Sequence, residues 1–359
     1  MLSPGYSAAE LIIFGFQGKT LSEETLATLR REKPTSFILF TAPNFESKEQ
    51  LVQLNDELQK RIAENGDTLP AIISADQEGG RVQRFRNGFT LLPPALKIGN
   101  KKDSNLALEV ARIQARELFA AGINLNYAPV CDVNTNAQNP VIGDRAFGDT
   151  EAQVSQMVAS VVQGHFQEGV EPCLKHFPGH GDTFLDSHES LPVVNTPLEL
   201  LQSREWIPFQ KGIEAGARFL MSAHIHLPHL DQHPGTFSPT FLNTHLRNNL
   251  GYQGVIVSDD MEMGAVTSTY GKEEAPVLAL NAGCDLLCYR HEVEGLIALE
   301  AIKKALQDGK LNAKKIEASI DRVRTIRKEM KRTNALSTAE RLARIGNPEH
   351  LKFLEQNFR

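Results

Sequence analysis

With 359 residues, 41% hydrophobic and 23% charged, the chain can bury one large core and has the composition of an ordinary soluble globular protein. A formal net charge of −6 excludes global attraction to nucleic acid or to an anionic membrane surface. The four cysteines, Cys131, Cys173, Cys284 and Cys288, have no C-x-x-C spacing and fall in, or at the start of, apolar runs, which suits buried thiols in a reducing compartment.

The first residues carry no basic region. The apolar run at 11–16 is too short for a secretory core or a membrane span, so a cytoplasmic protein is expected. That run is the first predicted strand, followed by 37–40 and 71–76. From there one pattern repeats: a helix-like stretch ends on glycine, and a short apolar run follows that finishes in a polar residue. Gly122 precedes 123–130, Gly169 precedes 173–176, and Gly216 precedes 219–224. The segment 251–254 precedes 255–259, and Gly283 precedes 286–290. Glycine after a helix supplies the left-handed cap. Short, non-alternating apolar runs suit parallel strands buried on both faces.

Eight such units predict an α/β fold, a single-domain (β/α)8 TIM-type barrel over residues 1–330. A doubly wound open sheet is the alternative, weakened by the lack of G-x-G-x-x-G after the first strand. Residues 293–330 read as two helices. The basic positions Arg322, Arg324, Arg327, Lys328, Lys331 and Arg332, interleaved with Val323 and Ile326, are expected to form a solvated face. Residues 331–359 read as a polar helical tail packed on the barrel.

In a barrel, the strand C-termini and the loops after them form the active face. The predicted strands end in Asp76, Asp132, Lys175 with His176, His224, Asp259 with Asp260, and Arg290. Charged groups at the ends of apolar strands are costly unless they face a wet cavity, so six such ends together favour a polar active site over isolated ion pairs.

The densest segment runs from Lys175-His176-Phe177-Pro178-Gly179-His180-Gly181-Asp182-Thr183 to Asp186-Ser187-His188. Asp186 and His188 are two apart, so in a turn a carboxylate can stabilise an imidazolium and make a general acid near neutral pH. A structural aspartate–histidine hydrogen bond is the plainer alternative. Asp259 and Asp260 are adjacent and cannot both point inward along an extended strand; one is expected to work and the other to brace a loop. Asp76 with Arg81 and Arg84 pairs an acid able to bind two sugar hydroxyls with arginines on a glycine turn. Arg145 sits on a loop between Gly143 and Gly148.

The 175–188 segment resembles the signature loop of the β-N-acetylglucosaminidases of glycoside hydrolase family three. The resemblance extends to Asp76-Gln77-Glu78-Gly79-Gly80-Arg81-Val82, Ala128-Pro129-Val130-Cys131-Asp132-Val133, Gly143-Asp144-Arg145 and Ser258-Asp259-Asp260-Met261, in family order over residues 70 to 290. It implies that Asp259 is the nucleophile, His188 the mobile acid/base and Asp186 its partner. It further implies that Asp76, Arg84, Arg145, Lys175 and His176 hold a terminal N-acetylglucosamine. Members of this length cut anhydro-muropeptides in cytoplasmic cell-wall recycling; some relatives transfer the sugar to phosphate instead. The expected partner is an N-acetylglucosamine-containing saccharide or muropeptide, bound by a monomer without cofactor, metal, nucleic acid or membrane. Residues 11–44 and the tail after Met330 match little of the family pattern.

Two other classes compete. A metal-dependent hydrolase would use His224, His226, His229 and His233, whose spacing is ligand-like although the last three fall in a proline-bearing loop. A non-catalytic sugar-binding barrel would keep Asp76 and the arginines but need neither Asp259 nor His188.

Overall fold

The computed structural model describes residues 1–183, 191–332 and 336–358. Eight parallel strands close into a barrel: β1 (Ile12–Phe14), β2 (Ser36–Ile38), β3 (Ile72–Ala75), β4 (Leu125–Asn126), β5 (Glu171–Phe177), β6 (Phe219–Ser222), β7 (Val255–Asp260) and β8 (Leu286–Tyr289). β8 pairs back onto β1, with Ile12 opposite Leu287 and Phe14 opposite Tyr289. The expected (β/α)8 barrel is therefore the fold.

Helices alternate with the strands on the outside: α1 (Glu23–Glu32), α2 (Lys48–Glu64), α3 (Ser104–Ala121), α4 (Glu151–Glu168) and α5 (Trp206–Glu214). A π-helical segment, Thr240–Asn249, connects β6 to β7; α6 (Glu274–Ala282), α7 (Glu292–Gln307) and α8 (Ala313–Glu329) follow. Helices α3 and α4 end on Gly122 and Gly169 at φ 92° and 91°, a left-handed conformation that suits glycine and turns the chain back toward the next strand.

Alternation along the strands divides the apolar residues into two cores. Ile13, Ile38, Ile72, Leu125, Cys173, Phe219, Met221, Val255, Val257, Leu286 and Cys288 fill the barrel interior. Phe14, Phe37, Ile73, Leu174, Leu220, Ile256 and Leu287 pack outward with the helices. Val323, Ile326 and Met330, on α8 and just beyond its end, join the interior cluster and close the end of the barrel away from the strand C-termini.

The basic run meets the expectation only in part: Lys328, Lys331 and Arg332 are exposed, but the three arginines of α8 are engaged by the protein. Arg322 pairs with Asp285 and Arg324 with Glu10. Arg327, only 1% exposed, donates to Asp67 and to the carbonyls of Leu69 and Pro70. These arginines tie α8 across the barrel base, with Arg322 and Arg324 still partly open to solvent. Two further helices, α9 (Thr338–Arg344) and α10 (Pro348–Phe358), lie on α2 and α3: Arg341 donates to Asp56 and the Ala120 carbonyl, and His350 meets Glu117 at 2.7 Å.

The run predicted at 123–130 is a strand only at Leu125–Asn126. Pro129 has no N–H to give the ladder, and Val130 regains only an isolated bridge to Lys175. A short hairpin not anticipated from sequence, Gln77–Gly79 with Val82–Gln83, follows β3 and stands at the cavity rim.

Candidate active site

Strand parity decides which polar ends enter the barrel. Ile72 faces the interior, and Asp76, four residues on, lines the cavity. Lys175 follows Cys173 by two, Asp259 follows Val257 by two, and Arg290 follows Cys288 by two. All four side chains line one cavity of about 390 Å³ at the C-terminal mouth of the barrel. That volume lies in the range of small-molecule sites.

Two register shifts enlarge the set. Between β5 and β6 the pairing passes from Leu174–Leu220 to Phe177–Ser222, three residues against two. Between β7 and β8 it passes from Val257–Leu286 to Asp260–Cys288, again three against two. An extra residue re-aims the strand locally. Hence His176 lines the cavity beside Lys175, and Asp260 lines it beside Asp259. The expectation that only one of the adjacent aspartates faces inward fails because it assumed an unbroken strand. Asp260 also accepts from the Glu262 N–H at 2.9 Å, so it braces the turn after β7 as well.

Opposite Asp259, an ionic cluster spans β3, its hairpin, β5 and the loop at Arg145. Lys175 Nζ lies 2.9 Å from Asp76 Oδ1 and 2.5 Å from Glu78 Oε1, while the side chain is 2% exposed. Arg84 donates to Asp76 Oδ2 at 3.0 Å. Arg145 donates through Nε and Nη2 to the two oxygens of Glu78, at 2.8 and 2.7 Å. A fork of this kind fixes orientation as well as charge. Burial by itself raises Asp76, but Lys175 and Arg84 outweigh it and hold the carboxyl far below the usual range. Burial likewise opposes ionisation of Glu78, yet Arg145 and Lys175 bring it down to about 2. Burial pushes the Lys175 ammonium down; the two carboxylates reverse this and raise it.

His176 is held at both ring nitrogens. Nδ1 donates to Asp132 Oδ2 at 2.7 Å, which leaves Nε2 to accept from Arg145 Nη2 at 3.3 Å. Asp132 is fully buried and also accepts from the His180 N–H at 2.6 Å. Burial would raise its carboxyl, but His176 and His180 lower it. The Gly179–Asp182 backbone is packed tightly: a Cβ on Gly181 would fall 1.7 Å from the Val133 carbonyl oxygen. Asn139 Nδ2 donates to the carbonyls of His180 and Gly181.

Asp259 is partly open to the cavity. Burial opposes its ionisation; the imidazoles of His176 and His224, the Asp260 N–H donating at 2.8 Å and the Lys175 ammonium outweigh it, so the carboxyl lies below its ordinary value. Asp260 goes the other way: burial outweighs Arg290 and pushes it up to about 6.

Asp186 and His188 lie outside the described residues. The histidines of the metal reading do not converge. His224 Nε2 meets the Asp260 carbonyl at 3.1 Å and its ring stacks on Phe237, while His229 Nε2 meets the Thr196 carbonyl at 3.0 Å. Among the described residues no three His, Cys, Asp or Glu side chains are placed to share a metal ion.

Residues 8–326 match the glycosyl hydrolase family 3 N-terminal domain. The chain belongs to glycosyl hydrolase family 3. Among family relatives, the chain is 37% identical over 287 residues to the beta-hexosaminidase of Xylella fastidiosa (strain M23), covering 78% of this chain and 83% of the relative. Its structure is similar to that of a family 3 beta-N-acetylglucosaminidase from Paenibacillus sp. str. FPU-7, with TM-score 0.90 and 34% identity over 99% of this chain and 68% of that one. A beta-N-acetylhexosaminidase from Beutenbergia cavernae DSM 12333 superposes with TM-score 0.81 at 27% identity, over 89% of this chain and 97% of that one.

Two residues of this family 3 site were missed from sequence. Glu78 is one: its place two residues after Asp76 is the cue to a second inward carboxylate. Asp132 is the other: in the sequence it is a polar strand end, and nothing local to it announces contact with residues 44 and 48 positions later.

Proposed function

We propose that this family 3 glycosidase is a retaining β-N-acetylhexosaminidase that releases a terminal β-linked N-acetylglucosamine, with Asp259 as nucleophile. The observation that carries the reading is a carboxylate, Asp259, on one wall of a cavity of about 390 Å³ whose opposite wall is the charged cluster around Asp76 and Lys175. A nucleophilic carboxylate must be anionic when substrate arrives, and the cations and imidazoles around Asp259 favour that state. Asp76, Arg84, Arg145, Lys175 and His176 hold the sugar hydroxyls and N-acetyl group by charge-assisted hydrogen bonds.

In the first step Asp259 attacks the anomeric carbon, the bond to the leaving oxygen breaks, and His188 donates its proton to that oxygen. In the second, His188 takes a proton from water, which displaces Asp259 from the sugar. Asp186 stabilises the imidazolium between the steps. The roles of His188 and Asp186 rest on the resemblance of their loop to the family signature. The same resemblance supports anhydro-muropeptides of cytoplasmic cell-wall recycling as the natural substrate.

The test is covalent trapping. An activated 5-fluoro N-acetylglucosaminide should accumulate as an ester on the peptide containing Asp259, read by mass spectrometry of the digest. An adduct on another carboxylate would move the nucleophile. Product analysis on a muropeptide, with and without phosphate, separates hydrolysis (free N-acetylglucosamine) from phosphorolysis (its 1-phosphate).

A further inference from the structure

The charged cluster on β3, its hairpin, β5 and the loop at Arg145 is the inner wall of the cavity, and Arg290 lines the same cavity without belonging to it. Arg290 extends from the end of β8, next to the strand that carries Asp259. Cys288 is the register partner of Asp260, so Arg290 stands two residues, about 6.6 Å along the strand, further toward the mouth. Its backbone is fixed by β1: the Gly15 N–H donates to the Tyr289 carbonyl at 2.7 Å, and a Cβ on Gly15 would fall 2.1 Å from the Arg290 carbonyl oxygen.

The guanidinium is bound along one edge only. Nε and Nη2 both go to a single oxygen of Asp260, and Nη1 has no protein partner among the described residues. Its side chain is 37% exposed at the cavity rim. The neighbouring carboxylate Glu262 is engaged by the His291 N–H and Nδ1. Of the other arginines lining the cavity, Arg81 is committed to Asp144 and to the carbonyls of Val141 and Ile142, while Arg84 is drawn to Asp76 of the inner cluster through Nη2, its buried Nε having no partner among the described residues. A sugar seated on the inner cluster with its anomeric carbon at Asp259 leaves its aglycone at the mouth, where Arg290 presents an open donor edge.

We propose that Arg290 is a specificity-determining residue that binds a carboxylate on the aglycone, so that β-N-acetylglucosaminides with an acidic leaving group are preferred over neutral ones. This rests on the N-acetylhexosaminidase reading of the site. A guanidinium braced on one edge by Asp260 has lost much of its rotational freedom, and the free edge matches a carboxylate oxygen.

The experiment compares kcat/KM on three substrates: an aryl β-N-acetylglucosaminide, the neutral β-1,4 disaccharide of N-acetylglucosamine, and the β-1,4 disaccharide of N-acetylglucosamine with muramic acid, whose lactyl group carries a carboxylate. The methyl ester of the last serves as the neutral match of the same shape. The native enzyme should favour the acid over its ester by about tenfold, the size of one charge-assisted hydrogen bond at a half-exposed site, and the ratio should shrink at high salt. Arg290→Gln should bring the acid-to-ester ratio near one, and Arg290→Lys should restore part of it. Equal rates on acid and ester with the native enzyme, or a ratio that survives Arg290→Gln, would overturn the proposal. The acid-to-ester comparison needs no variant, so a poorly folding Arg290→Gln does not blunt it. Absence of turnover on every substrate would instead sink the hexosaminidase reading.

Discussion

Asp132 accepts the Nδ1–H of His176 at 2.7 Å and the backbone N–H of His180 at 2.6 Å, so one buried carboxylate joins the end of β5 to the loop that follows it. The consequence is a fixed ring: with Nδ1 donating inward, Nε2 is presented to Arg145 and the cavity. Replacing the carboxylate removes both the ring's anchor and the loop's. Asp132→Ala should destabilise the fold by about 3 kcal/mol, the scale of an uncompensated buried polar pair, and raise KM. Urea denaturation and steady-state kinetics check it; an unchanged midpoint would mean the loop is held by Asn139 alone.

Asp259→Ala should reduce turnover of an aryl β-N-acetylglucosaminide by roughly 10⁴-fold or more, as removal of a catalytic nucleophile does elsewhere. Binding should survive, since the cluster proposed to hold the sugar lies on the opposite wall. Isothermal titration with N-acetylglucosamine separates the two effects; a variant retaining a tenth of native turnover would exclude Asp259 as nucleophile.

Lys175→Met leaves Asp76 and Glu78 facing each other without the ammonium between them. The variant should lose about 3 kcal/mol of stability at pH 7. The pH dependence has a defined sign. Glu78 has a folded value of about 2 against an ordinary 4.5, so its contribution is present in full above pH 4.5 and is lost as pH falls toward 2. The gap between native enzyme and variant should therefore be widest above pH 4.5 and narrow on acidification. Chemical denaturation at pH 3 to 7 reads this directly; a gap independent of pH would place the loss in packing, not charge.

Glu205 tests the opposite sign. It is 1% exposed, Arg204 holds Oε1 at 2.6 Å, and Oε2 has no partner among the described residues. Burial outweighs Arg204 and pushes the carboxyl up to about 7. Between pH 4.5 and 7 the folded protein keeps a proton that the unfolded chain has lost, so stability falls as pH rises through this window. Glu205→Gln should abolish that slope and be more stable than native enzyme at pH 8 by about 2 kcal/mol. Urea midpoints at pH 5, 6, 7 and 8 would show it; parallel curves would remove Glu205 from the titration.

What the sequence by itself determined is the periodic part of the protein. The apolar runs, the glycines after the helices and the polar strand ends specify eight strands, their order and the mouth at which Asp76, Lys175 and Asp259 gather. These are local signals, because strand parity and helix caps act within a few residues. Tertiary structure alone decided the rest. Whether Asp260 joins Asp259, and His176 joins Lys175, depends on register with the neighbouring strand, where one extra residue turns a side chain from outside to inside. Glu78 becomes part of the cluster only because Arg145, 67 residues on, closes on both its oxygens. The arginines of α8, which read as a solvent face, are buried or paired because Asp285, Glu10 and Asp67 come to them from other parts of the chain. A charge in a sequence has no partner until the chain is folded, and its partner decides whether it is solvated, structural or poised for chemistry.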